Sequence, residues 1–104
     1  MVARSFSPAQ DGTVNINVSS SSQRVFVGSR NGPISVRLMN NGTATVWLNW
    51  GDVTVTANTT NSVPIGPGVH EVMTMNPPEG GKLYIAAIAA GSTGRIYFTQ
   101  GEGL

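Results

Sequence analysis

The chain has 104 residues, of which 39% are hydrophobic and 11% carry a charge, and it contains no cysteine. This length fits one domain with a core of its own, and the lack of thiols excludes disulfides, zinc–thiolate sites and cysteine nucleophiles. Six basic and five acidic residues leave a net charge of +1, so the sequence gives no electrostatic reason to expect nucleic acid or an anionic membrane as a partner.

Short β-branched segments, separated by glycine, proline and asparagine, run through the whole chain, and sustained helical periodicity is missing. The pattern predicts eight strands, at Thr13–Val18, Arg24–Gly28, Ile34–Met39, Thr43–Trp50, Val53–Ala57, Val69–Met75, Lys82–Ala90 and Arg95–Thr99. Short strands at this spacing are typical of an all-β fold, a small β-sandwich or jelly-roll-like barrel of antiparallel strands. We expect one such domain over residues 13–104, preceded by an extended N-terminal arm over residues 1–12.

Two kinds of connection are expected between the strands. Asn40, Asn41 and Gly42 predict a hairpin between the third and fourth strands, because Asn and Gly tolerate the positive φ that tight hairpins require. Residues 58–68 and 76–81 contain prolines and glycines that suit neither a helix nor a central strand, so they are predicted to be loops.

Alternation along the strands predicts which side chains the two sheets share as a core. These are Val36, Leu38, Val46, Leu48, Trp50, Ile85, Ile88, Ile96 and Phe98. The seventh strand is apolar on both faces, and a strand of this kind is expected to be covered on both sides.

The sequence offers few groups for catalysis. His70, the only histidine, precedes Glu71 on a predicted strand, so the two side chains point to opposite faces and do not form a dyad. The five carboxylates share no short motif, and the chain has neither a metal-ligand spacing nor a phosphate-binding loop. We expect a protein that is not an enzyme and needs no metal and no cofactor.

Trp47 shares one face of its predicted strand with Thr45 and Asn49, whereas Trp50 points to the other face. An aromatic side chain at such a position serves as an interface anchor, a sugar-stacking platform or a contact for a second layer. We favour the interface, because Trp is enriched at protein–protein hot spots and no acidic or amide cluster flanks it.

A run of small residues near the end of the seventh strand allows close approach of another layer or another chain. It comprises Ala86, Ala87, Ala89 and Ala90. Two interpretations stay open for these alanines, a tightly packed core and a contact between subunits.

Four segments resemble recurrent stretches of small virion proteins of tailed bacteriophages. They are Val36–Val46, Pro64–Val72, Tyr84–Gly94 and Tyr97–Leu104, and together they lie within residues 34–104. The resemblance implies a non-enzymatic structural protein of the virion, of the capsid decoration (cement) type. Such proteins bridge neighbouring subunits of the major capsid protein on the outer surface of the capsid and often form homotrimers.

The resemblance assigns roles to the candidate residues. We expect Phe6 and Pro8, in the arm, to contact a neighbouring capsid subunit, and Trp47 with the four alanines to join copies of the chain. The protein would be made in the host cytoplasm, since its first residues lack the apolar run of a signal peptide. Deletion of residues 1–12 should then abolish binding to particles and leave the fold intact.

The alternative function is a small module of the tail or fibre that binds a carbohydrate or receptor. Its platforms would be the four large aromatic side chains Trp47, Trp50, Tyr84 and Tyr97.

Overall fold

Period-two alternation of apolar and polar residues produces strands along most of the chain, as predicted. The structure, a computed structural model, describes residues 7–91 and 94–102, and none of these residues lies in a helix. Its strands are β1 (Ser7–Val18), β2 (Gln23–Ser29), β3 (Ile34–Asn40), β4 (Val46–Gly51), β5 (Val63–Ile65), β6 (His70–Met75), β7 (Lys82–Ile88) and β8 (Gly94–Glu102).

The strands form two antiparallel sheets of four strands each. Sheet A has the order β1-β8-β3-β6, and sheet B has the order β2-β7-β4-β5. Strands β1 to β4 therefore alternate between the sheets, and the first and last strands are neighbours. This is the strand order of a double-sheet jelly roll, which agrees with the predicted fold class.

The inner faces of the two sheets pack together around an apolar core. Its buried side chains are Ile16, Val18, Val27, Ile34, Val36, Leu38, Val46, Leu48, Ile65, Met75, Leu83, Ile85, Ala87, Ala89, Ile96 and Phe98. Seven of the nine predicted core residues are among them. Trp50 is half-buried against the core. Ile88 was expected in the core but lies opposite Trp47 on the outer face of sheet B, because it follows the inward-facing Ala87 by one residue.

Strand β1 begins at Ser7 rather than at Thr13, so residues 7–12 belong to sheet A and not to a free arm. Ser7 and Pro8 pair with β8, and the register shifts before the regular pairing resumes at Thr13. Asp11, in this irregular stretch, has a φ of 55°. Phe6 and the rest of the predicted arm, residues 1–6, lie outside the described residues.

The predicted strand over residues 53–57 does not form. The carboxylate of Asp52 accepts hydrogen bonds from the Thr54 amide, at 2.8 Å, and from the Thr54 hydroxyl, and the Val55 amide donates to the Asp52 carbonyl at 3.1 Å. These bonds hold the segment in a turn. The fifth strand lies instead in the predicted loop, where Pro64 is tolerated because β5 is an edge strand.

The predicted hairpin at residues 40–42 is a crossover, because β3 belongs to sheet A and β4 to sheet B. Neither Asn41 nor Gly42 adopts the positive φ expected of them. The side chain of Asn40 is fully buried, and its Nδ2 donates to the carbonyls of Ala44, Ile65 and Gly66 at 3.0–3.1 Å. One buried asparagine therefore fixes the connection between the two sheets.

Candidate functional site

Trp47 and Ile88 lie side by side on the outer face of sheet B. Trp47 of β4 pairs with Ile88 of β7 on one side and with Pro64 of β5 on the other. Both Trp47 and Ile88 are half-buried. Their positions follow from the pleat, because their strand neighbours Leu48 and Ala87 face the core.

An aromatic pair occupies the other end of the same face. Phe26 of β2 pairs with Tyr84 of β7, and the two ring centroids are 5.4 Å apart with an interplanar angle of 62°, an edge-to-face arrangement. Phe26 is 43% exposed, which is unusual for a large apolar side chain. The sequence alone could not reveal the contact between Phe26 and Tyr84, because it depends on the register of two strands far apart in the chain. Alternation in β2 does show that Phe26 points away from the core, since its neighbours Val25 and Val27 point towards it.

Ala86 lies between these two groups. It pairs with Arg24 of β2 and with Asn49 of β4, and it is fully buried beside these longer side chains. We call the whole surface the apolar face of sheet B. It comprises Phe26, Trp47, Pro64, Tyr84, Ala86 and Ile88.

A surface hollow of about 440 Å³ adjoins the Tyr84 end of this face. Asp52, Glu79 and Lys82 contribute charged groups to its lining, and Val53 is 53% exposed there. The Thr54 hydroxyl and then the Thr54 amide, both donating to the carboxylate, lower the pKa of Asp52 below its ordinary value. The hollow therefore has at least one firmly ionised carboxylate beside an apolar surface.

The outer face of sheet A is polar and carries two arginines. Nη2 of Arg37, on β3, lies 3.1 Å from Nδ1 of His70, on β6, and Nε of Arg95, on β8, donates to Oδ1 of Asn17 at 2.8 Å. Tyr97 lies between the two arginines, in register with Asn15 and Met39.

A depression of about 380 Å³ opens on this face. Its lining residues are Thr13, Arg37, Met39, Asn41, Tyr97 and Thr99. The hydroxyls of Thr13 and Thr99 are hydrogen-bonded to each other at 2.8 Å. The depression thus combines an aromatic ring, a thioether, two hydroxyls and a guanidinium.

The four predicted interface alanines separate into three environments. Ala87 and Ala89 belong to the core, so their side chains have no surface left for a subunit contact. Ala86 is on the outer face of sheet B but is covered by its neighbours, and Ala90 is exposed just after the end of β7. Trp47 lies on the outer face of sheet B, on the side of its strand that alternation predicted to face away from the core.

Pro8, a predicted capsid contact, is exposed at one end of the sandwich. It lines a hollow of about 390 Å³ together with Ala9, Arg30, Gln100 and other residues near the ends of β1, β2 and β8. Its predicted companion Phe6 lies outside the described residues.

The structure does not gather the predicted carbohydrate platforms into one site. Trp50 packs against the core, and Tyr97 lies on the outer face of sheet A. Trp47 and Tyr84 share the outer face of sheet B, but Ala86 and its paired neighbour Asn49 lie between them.

Within the described ranges, no three His, Asp or Glu side chains come close enough to hold a metal ion. His70 contacts Arg37 on the adjacent strand, and Glu71 pairs with Leu38 and so projects from the other side of the sheet. No described residue lies in a helix long and apolar enough to cross a membrane.

No known family model matches the chain, and no curated protein matches it in sequence. Among solved structures, it is similar to a protein of Bacillus endospore appendages, which are described as a novel family of disulfide-linked pili. That likeness has a TM-score of 0.45 at 16% sequence identity and covers 100% of this chain and 95% of the other. A TM-score this low is too slight to bear on fold or function.

Proposed function

We propose that this chain is a non-enzymatic structural protein and that its copies associate through the apolar face of sheet B. One observation carries the proposal. Strand β7 is apolar on both sides, and the core covers only the inner one, since no layer of the described chain packs over Tyr84 and Ile88. A second copy would supply the cover that a doubly apolar strand requires.

The composition of this face favours a permanent contact. Trp and Tyr are the residues most often found at the energetic centres of protein interfaces. The register places the charged side chain of Arg24 among them, beside Ala86. The chain as a whole has few lysines and glutamates, so docking immobilises few long, flexible side chains.

More specifically, we propose that the chain is a capsid decoration protein, which binds the major capsid protein on the outside of a phage particle. It is supported by the four segments within residues 34–104 that resemble small phage virion proteins. The jelly roll is compatible with it, since this fold recurs in viral capsid proteins, but it also recurs in lectins, so the fold by itself decides neither function. A homotrimer is the form we favour.

Light scattering coupled to size-exclusion chromatography tests the association. We expect the wild-type chain to be oligomeric and the double variant Phe26→Ser with Trp47→Ser to be monomeric at the same concentration. Tyr97→Ser is the matched control, because it removes an aromatic ring from the other sheet. Thermal unfolding of all variants separates loss of association from loss of fold. A monomeric wild type, or an oligomer that the double variant leaves intact, would refute this interface.

Cryo-electron microscopy of the phage whose genome encodes the chain tests the proposed role in capsid decoration. We expect density for the jelly roll on the outer capsid surface, bridging neighbouring capsid subunits. Density confined to the tail or fibres would contradict it and favour the carbohydrate- or receptor-binding alternative.

A further inference from the structure

The regular register places two charged side chains on the outer face of sheet A, and both are arginines. Arg37 lies on β3 opposite Thr99 of β8, and Arg95 lies on β8 itself, opposite Asn17 of β1. Thr99 and Arg95 are four positions apart on an extended strand, so the two arginine backbones are roughly 13 Å apart along the strand direction.

The regular register places none of the acidic side chains that the structure describes on this face. Asp52 and Glu79 line the hollow beside sheet B. Glu71 pairs with the core residue Leu38 and so projects from the opposite side of sheet A, at its edge. Asp11 is in the irregular stretch of β1, outside the regular register. The regularly paired part of the outer face of sheet A is therefore basic, although the chain as a whole is almost neutral.

Each guanidinium group is hydrogen-bonded to a side chain that carries no negative charge. Arginine only donates hydrogen bonds, so Nδ1 of His70 must be the acceptor from Arg37, and Oδ1 of Asn17 accepts from Arg95. A neutral acceptor orients a guanidinium without cancelling its charge. Each bond uses one of five N–H donors, and the planar group is suited to bind a carboxylate through two others.

Between the arginines, the face offers contacts that suit a protein surface. Tyr97 and Met39 provide apolar area, and the hydrogen-bonded hydroxyls of Thr13 and Thr99 provide polar groups in the same depression. Protein interfaces mix aromatic, methionine and arginine side chains in this way. A polyanion, in contrast, gains its affinity from many simultaneous ionic contacts, and two cations are few for that purpose.

From these observations we infer that the outer face of sheet A binds an acidic patch on a partner protein. Two carboxylates of that patch would pair with Arg37 and Arg95, and its apolar part would cover Tyr97. The inference deepens the proposed function and rests on it, because the partner is then the capsid protein, bound through the sheet opposite the one that joins copies of the chain.

The test is binding to phage particles that lack this chain, measured by co-sedimentation. Arg37→Glu and Arg95→Glu are each expected to weaken binding about tenfold, and the double variant more, because like charges then meet across the interface. Lys82→Glu is the matched control, with the same change of charge at the start of β7 in sheet B, and should bind as the wild type does. Far-ultraviolet circular dichroism and thermal unfolding verify that each variant is folded.

The outcomes separate this inference from the proposed function. Wild-type protein that does not bind particles refutes the proposed function, and the inference with it. Wild-type binding that both arginine variants retain refutes the inference alone. A heparin column tests the alternative that the face binds an anionic polysaccharide. If retention on heparin depends on the two arginines while their substitution leaves particle binding unchanged, the face is assigned to such a polysaccharide. Restored binding of Arg37→Glu to particles with a capsid Glu→Lys substitution would identify the paired carboxylate.

Discussion

The side chain of Asn40 joins two parts of the backbone, the crossover after β3 and the end of β5. Its Nδ2 donates to the carbonyls of Ala44, Ile65 and Gly66, and its Oδ1 accepts from the Gly42 amide at 3.0 Å. Its own amide and carbonyl bond to Val69 and Gly68. No alternation pattern indicates this role, because a polar residue at the end of a predicted strand is ordinarily assigned to a turn.

We expect Asn40→Ala to lower the free energy of unfolding by about 3 kcal/mol, since it removes several hydrogen bonds and leaves buried carbonyls without a donor. Denaturant unfolding measures the change. Asn41→Ala is the matched control, because Asn41 is exposed, and it should change stability by less than about 0.5 kcal/mol. Equal effects of the two substitutions would show that the hydrogen bonds of the Asn40 side chain do not stabilise the fold.

Asp52 provides a pH-dependent test at a single residue. Its pKa is lowered in the folded protein, so the stability that it contributes is present above the pKa of the unfolded chain and is lost as the pH falls through the folded value. Thr54→Val removes the hydroxyl donor and should raise the pKa of Asp52 towards its ordinary value. Thr54→Ser keeps the donor and should leave it low.

Nuclear magnetic resonance titration of the Asp52 carboxyl carbon measures that pKa directly. A Thr54→Val protein whose Asp52 titrates as in the wild type would mean that the hydroxyl is not the main cause of the shift. The same contacts with Thr54 explain why the strand predicted at residues 53–57 does not form. Its β-branched alternation is real, but a side chain one residue earlier captures the backbone in a turn.

At the scale of strands, alternation was informative because the strands of this fold bury one face. Seven of the eight predicted strands lie where the structure has them, with shifted ends. The errors concern information that periodicity does not contain. Strand β5 includes Pro64, which a central strand excludes and an edge strand tolerates, and only the strand order reveals that β5 is an edge.

The candidate interface was predictable to the same extent. Alternation separated Trp47 from the core-facing side chains of β4, and the structure agrees. It divided the alanines of the predicted seventh strand between two faces but did not tell which face was inward, so Ala87 and Ala89 stayed interface candidates although they are core. The Phe26–Tyr84 pair required the register between β2 and β7, which depends on the whole fold.

Gly81 occupies a restrictive position in the turn before β7. Gly81 has a φ of 76°, its amide donates to the Pro78 carbonyl, and its carbonyl accepts from Arg30. A Cβ at this position would lie 2.9 Å from the Arg30 carbonyl oxygen. Gly81→Ala should therefore lower the free energy of unfolding by about 3 kcal/mol, since a strained backbone alone costs roughly 1–3 kcal/mol.

Two other glycines separate the causes of that loss. Gly80 has a φ of 100° and open space around it, so Gly80→Ala should show the backbone cost without the collision. Gly91 has open space and no positive φ, so Gly91→Ala should be neutral within about 0.5 kcal/mol. Chemical denaturation of the three variants gives the comparison, and a Gly81→Ala protein no less stable than Gly80→Ala would argue against the predicted collision.

For the molecule as a whole, the sandwich presents two unlike surfaces on opposite sides. The outer face of sheet B is aromatic and aliphatic, whereas the outer face of sheet A is hydroxylic and basic. The ends of the described chain meet at one end of the sandwich, where Ser7 pairs with Glu102. The outer faces of the two sheets point in opposite directions, so under the proposed function one copy would associate with another through sheet B while sheet A bound a different protein.

The two contacts should respond differently to salt. Raising the ionic strength from about 0.05 M to about 0.5 M shortens the Debye length from roughly 14 Å to roughly 4 Å, which screens ion pairs at a surface. Burial of apolar area is not weakened by this change. We therefore expect binding to particles to fall more than tenfold while the oligomer persists. Arg37→Gln with Arg95→Gln should remove most of the salt dependence of particle binding and leave the oligomer unchanged. Parallel loss of both contacts with salt would contradict the assignment of one face to each partner.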